Sequence, residues 1–172
     1  MNAKMIQLIP LTSTLVLTVA NCALAQTWAP SDAPVESWSG IASSADGTKL
    51  VAVADGGGIY TSADSGNTWV TNEAPYESWI ATASSADGTK LVAASFGSYP
   101  DTNSGVYVST NSGATWIKAT NNLPQIAWWT SVATSADGVN MVAAMQAEPG
   151  LIYRSTDSGV TWTPTGAPYG TW

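Results

Sequence analysis

Three eight-residue stretches carry the side chains best placed for chemistry. They are SADSGNTW at Ser62–Trp69, STNSGATW at Ser109–Trp116 and STDSGVTW at Ser155–Trp162. Asp64 and Asp157 are the carboxylates such a motif offers to a proton or a cation, and Asn111 stands in their place in the middle copy. The same role repeated 46 or 47 residues apart points to scaffolding rather than to a reaction centre. A short acceptor side chain takes backbone N–H groups across a turn. Gly66, Gly113 and Gly159 supply backbone geometry that other residues resist. Thr68, Thr115 and Thr161 open the following strand, and Trp69, Trp116 and Trp162 cover apolar area beneath the hairpin.

The rest of the inventory excludes more than it offers. The chain has no histidine and one cysteine, Cys22. Triads built on histidine and histidine metal sites are therefore absent. No glycine loop with a lysine is present to cradle phosphate, and the sequence calls for no cofactor and no metal. Paired carboxylates can hydrolyse glycosides, but no pair stands out by spacing. Twelve acidic residues face five basic ones, a net charge of −7. That balance argues against nucleic acid and against anionic membrane surfaces.

The N-terminus reads as a leader. Lys4 precedes the apolar run MIQLIPLTSTLVLTVA, and Ala23-Leu24-Ala25 fits a small-x-small cleavage site, so residues 1–25 are expected to be a signal peptide cleaved after Ala25. The expected location is secreted or periplasmic, with no stable membrane span after removal of the leader. Cys22 occupies the place of a lipidation site, but Asn21 precedes it where a small residue belongs. The mature chain then has no cysteine, so its core must hold it without disulfides.

Beyond residue 25 the sequence is a repeat. SSADGTKLVA from Ser43 recurs from Ser84 and returns as TSADGVNMVA from Thr134. A tryptophan stands nine residues before the glycine of each: Trp38, Trp79 and Trp129. One unit reads strand (WSGIASS), Asp-Gly hairpin turn (ADGT), strand (KLVAVA), turn (DGGG), strand (IYTSA), turn (DSGN) and strand (TWVTN). LVAVA, LVAAS and MVAAM are apolar without alternation, as in strands covered on both faces. The expected fold is all-β, with four-stranded antiparallel blades over residues 35–72, 78–120 and 127–165.

The octets match the pattern Ser/Thr-x-Asp-x-Gly-x-Thr-Trp, and the mature chain thereby resembles the Asp-box (BNR) β-propellers. That family includes sialidases, sortilin-type receptor ectodomains and photosystem II assembly factors. The resemblance implies a partial propeller of about three blades. Its sialidases hold a substrate carboxylate with three arginines and use a tyrosine–glutamate pair with an aspartate. This chain has one arginine, Arg154, so sialidase activity is not expected of it. The expected function is that of a non-catalytic binding or scaffold module for protein or neutral glycan. The alternative is a fragment of a carbohydrate-active, sialidase- or glycosidase-like propeller.

The blade order puts the ADG turns and the octets on one rim. Loops on the other rim vary in length, and the insertion SFGSYPDTNSG at Ser95–Gly105 is the longest. Variable loops on a rigid scaffold are where recognition sits. Phe96, Tyr99, Asp101, Trp128, Trp129 and Glu148 are the binding-face candidates there. Trp129 also belongs to the in-register series with Trp38 and Trp79, which fits packing between blades. Trp28 precedes Trp38 by ten residues, as Trp162 precedes Trp172, so residues 26–30 read as a closing strand and 166–172 as the start of a further blade. Either a longer chain supplies the intervening strands, or copies of the chain associate through open blade faces.

Overall fold

The computed structural model describes residues 29–97, 103–125, 127–146 and 150–168. The expected leader, Trp28 and Trp172 lie outside them. Ser31–Trp172 forms one compact unit, and the segment up to Pro30 forms another, of which only Ala29 and Pro30 are described.

Among the described residues, twelve strands form three blades, each an antiparallel meander. The first contains β1 (Trp38–Ser43), β2 (Leu50–Gly57), β3 (Ile59–Ser62) and β4 (Val70–Thr71). The second contains β5 (Glu77–Ser84), β6 (Leu91–Phe96), β7 (Val106–Ser109) and β8 (Ile117–Lys118). The third contains β9 (Trp128–Thr134), β10 (Met141–Gln146), β11 (Leu151–Ser155) and β12 (Thr163–Pro164). Register repeats with the sequence: Leu50 pairs Ser62, Leu91 pairs Ser109 and Met141 pairs Ser155. The first strands are neighbours, β1 packing on β5 and β5 on β9. The two-residue strands β4, β8 and β12 each pair with a single partner, at the far side of the blade.

Two details depart from the sequence reading. The DGGG segment is mostly strand: β2 runs to Gly57, and its end pairs with the next blade, Asp55 to Ser78 and Gly57 to Glu77. The fourth strands are also shorter than the sequence suggests, because the residues after Trp69 have a ladder partner on one side only.

The core lies between blades. Val51, Val53 and Ile59 of the first blade meet Trp79, Ala93 and Tyr107 of the second. Val92, Val106 and Val108 of the second meet Trp129, Met141 and Tyr153 of the third. Trp79 and Trp129 are fully buried, and each meets a tyrosine edge-on, with ring centroids 5.2 and 5.8 Å apart. The alanines at the strand centres, Ala93 and Ala143, leave room for rings of that size.

Polar contacts fix the blades in register at one rim. Ala45 N–H donates to the Ala86 carbonyl and Ala86 N–H to the Ala136 carbonyl, both at 2.8 Å. Lys49 reaches forward to the Asp87 carbonyl and Lys90 to the Asp137 carbonyl, each at 3.0 Å. The lysine stems lie so close over the next turn that a Cβ on Gly88 or Gly138 would stand 2.8 or 2.6 Å from them.

This geometry separates two otherwise equal glycines. Gly47 (φ +71°) and Gly138 (φ +66°) occupy the same turn, but nothing lies within 4 Å of a Cβ at Gly47. Gly47→Ala is expected to cost only left-handed backbone strain, roughly 1–2 kcal/mol. Gly138→Ala adds overpacking of about 1–3 kcal/mol. Urea unfolding of the two variants measures the gap, and equal destabilisation would contradict the lysine packing.

Candidate functional site

The octets build closed hydrogen-bond rings. In the first, the Ser62 hydroxyl donates to Asp64 Oδ1 at 2.8 Å and accepts the Gly66 N–H at 2.9 Å. Asp64 accepts the Thr68 N–H at 2.8 Å on Oδ1 and the Thr68 hydroxyl at 2.7 Å on Oδ2. The Trp69 indole closes the turn on the Gly66 carbonyl at 3.1 Å. The third octet repeats this set through Ser155, Asp157, Thr161 and Trp162. The middle octet differs in two bonds: Asn111 Nδ2 donates to Thr115 Oγ1 at 2.9 Å, while Oδ1 still accepts the Thr115 N–H at 2.9 Å, and the buried Trp116 indole N–H has no partner among the described residues. Ser65, Ser112 and Ser158 all take positive φ, between 58° and 60°, a conformation these bonds hold in place.

The ADG turns are smaller versions of the same device, which the sequence reading took as plain Asp-Gly hairpins. Ser44 donates to Asp46 at 2.6 Å, and Asp46 accepts the Thr48 N–H at 3.0 Å. Ser85 and Asp87 do the same, and so do Ser135 and Asp137. In each turn only the glycine takes positive φ. The two kinds of turn are also stitched together, since Ser65, Ser112 and Ser158 N–H donate to the Thr48, Thr89 and Val139 carbonyls. Both therefore share one rim.

These bonds stabilise the charged carboxylate. The Ser44 hydroxyl, then the Thr48 N–H, pulls Asp46 down to about 2, and the Thr161 hydroxyl and N–H pull Asp157 to about 2. Asp64 is lowered chiefly by the Thr68 N–H, Asp87 by the Ser85 hydroxyl and Asp137 by the Ser135 hydroxyl. A general acid needs a carboxyl held protonated near its working pH, and these five are shifted the other way. Among the described residues no cluster of three or more acidic, histidine or cysteine side chains could hold a metal.

The opposite rim carries the aromatic candidates. Phe96 ends β6 and Trp128 begins β9, and their backbones form the ladder contact between second and third blades. The rings stack with centroids 5.6 Å apart and planes 15° from parallel, and they remain 39% and 47% exposed. Trp129, one residue on, points into the seam between blades and has no exposed surface. Tyr99, Asp101 and Glu148 lie outside the described residues. Sequence reasoning missed Glu36, which accepts a 2.7 Å bond from the Tyr60 hydroxyl and helps push that phenol up to about 12. Glu36 has a repeat counterpart in Glu77, since APVESW at Ala33–Trp38 returns as APYESW at Ala74–Trp79, but nothing local in that repeat points to Tyr60 as its partner. A hollow of about 470 Å³, lined by Trp38, Ile41, Ala52 and Trp69, lies on the outer face of the first blade and not at the aromatic rim.

No protein-family model matches the chain, and no curated protein matches it. Among solved structures it is similar to the GH74 enzyme of Niastella koreensis, at 26% identity and a TM-score of 0.60 over 82% of this chain and 19% of that one. The fold is a partial β-propeller. The propeller also resembles YCF48 bound to D1 peptide, at 17% identity and a TM-score of 0.55 over 75% of this chain and 40% of that one. A third likeness is to the computationally designed Ika4 protein, at 12% identity and a TM-score of 0.62, over 86% of this chain and 84% of that one. The chain thus spans about a fifth of the GH74 enzyme and two fifths of YCF48.

The turn carboxylates set an acid limit. The folded-state pKa of each lies below the ordinary aspartate value of 3.8, so their contribution is present above that value and lost as pH falls through the lowered pKa, which is about 2 for Asp46 and Asp157. The melting temperature is expected to hold down to about pH 4 and to fall steeply below it. Asn111→Asp adds a sixth such group: stability at neutral pH stays within about 0.5 kcal/mol and the acid loss steepens. A melting curve independent of pH between 4 and 2 would contradict the turn chemistry.

Proposed function

We propose that this propeller is an Asp-box repeat module of an exported protein, and that it binds rather than catalyses. The observation that carries the reading is the Phe96–Trp128 stack, two large rings left in water at a blade junction on the rim of variable loops. Exposed aromatic faces gain on covering by the C–H face of a neutral sugar or by an apolar side chain of a protein. The acidic balance favours neutral or cationic partners over nucleic acid. YCF48, whose solved structure holds a D1 peptide, gives a propeller precedent for a protein ligand.

A second reading is favoured by one observation, the likeness to a GH74 enzyme. On that reading the chain is part of a carbohydrate-active propeller whose reacting carboxylates lie beyond the octets.

Calorimetric titration with neutral β-glucan oligosaccharides and with extended peptides tests both. Trp128→Ala is expected to weaken binding roughly tenfold or more while leaving stability within about 0.5 kcal/mol, as befits a half-exposed position. Unchanged affinity in Trp128→Ala would remove the stack from the site. Release of a chromogenic sugar by the wild-type chain would replace the binding reading with the enzymatic one.

A further inference from the structure

Each blade has two unlike faces, and the seams within the chain show how they fit. One face carries tryptophan and tyrosine, and the other carries valine and isoleucine; the valine face of one blade covers the tryptophan face of the next. Among the described residues one face of each kind is left open. On the first blade Trp38 is 40% exposed, where Trp79 and Trp129 are 0%. Ile41 is 67% exposed, where its third-blade counterpart Val132 is 9%. On the third blade Val142 is 40% exposed, where Val51 and Val92 are 0%.

We propose that a second copy of this chain docks head to tail on these faces, third blade against first, so that two copies close a six-bladed ring through two identical seams. The faces are the two halves of a contact that the chain already makes twice. Head-to-tail contacts give a ring when the rotation closes, and six blades fall within the usual four to eight. The hollow lined by Trp38, Ile41, Ala52 and Trp69 is where the valine face of the second copy lies.

Two polar details distinguish this seam from the internal ones. Gly47 has open space above it where Gly88 and Gly138 carry the stems of Lys49 and Lys90. The residue in that lysine position on the third blade is Asn140. Thr61 lies over Gly113 and Val108 over Gly159, so the third-blade counterpart, the exposed Arg154, meets the turn of Gly66 beside Asp64. The only arginine of an acidic chain thus faces an aspartate held in its charged form.

Light scattering and sedimentation of the purified full chain across concentration test the proposal. The expected species is a dimer of twice the chain mass. Ile41→Asp and Val142→Asp, at positions exposed in the single chain, are expected to keep the circular dichroism spectrum and to weaken the dimer by roughly tenfold or more. Arg154→Glu weakens it too, and the wild-type dimer loosens with added salt. Asn140→Lys rebuilds the lysine contact and tightens the dimer, a gain that unspecific apolar adhesion would not show. A monomer at every concentration, an open ladder of growing mass, or a dimer indifferent to both aspartate variants overturns the proposal. So does a monomer whose tryptophan emission shifts with a neutral oligosaccharide in an Ile41-dependent way, which would assign the face to a glycan.

Discussion

Trp79 and Trp129 are fully buried between blades, against strands that present valine and isoleucine to the one and valine to the other. That fit is the constraint on which the remaining structure depends. It sets the distance between blades, and with it the reach of Lys49 and Lys90 to the next turn and the short ladders where Asp55 meets Ser78 and Phe96 meets Trp128. With Cys22 its one cysteine, the chain has no internal disulfide to substitute for this packing. Its stability rests on apolar seams, aligned by a few backbone bonds.

The two rims divide the work. On one, each aspartate of the repeated turns accepts a serine hydroxyl and a backbone N–H, so the rim is uniform and chemically quiet. On the other, strands end in residues that differ from blade to blade, and the Phe96–Trp128 stack forms where the first strand of one blade meets the second strand of another. A rigid and monotonous scaffold leaves that rim free to vary.

Much of this was legible in the sequence, for a physical reason. The octet is a local motif whose partners all lie within four residues, as Ser62 to Gly66 and Asp64 to Thr68 illustrate, so its pattern survives intact in the chain. The blade spacing followed from counting such motifs. Phe96 and Trp128 stood out because they break the repeat. What was not legible depends on contacts between units. No local pattern says that Lys49 crosses to Asp87, that Asp55 belongs to a ladder with the next blade, or that Trp38 is left uncovered where Trp79 is buried. The short fourth strands were missed because strand length follows from the number of ladder partners, which composition does not record.

Every seam within the chain joins a blade only to its neighbour in sequence, and the turns bond within their own blade or to the adjacent one. The order of events in folding is therefore written into the connectivity. A blade can form its turns and ladders as soon as its own residues are present, and each later blade finds a finished template on which to condense. Loop closures of this length are short for an all-β protein, where pairing between distant strands usually slows folding. A chain growing from its N-terminus can therefore be built as a stack, each new blade condensing on the one before it.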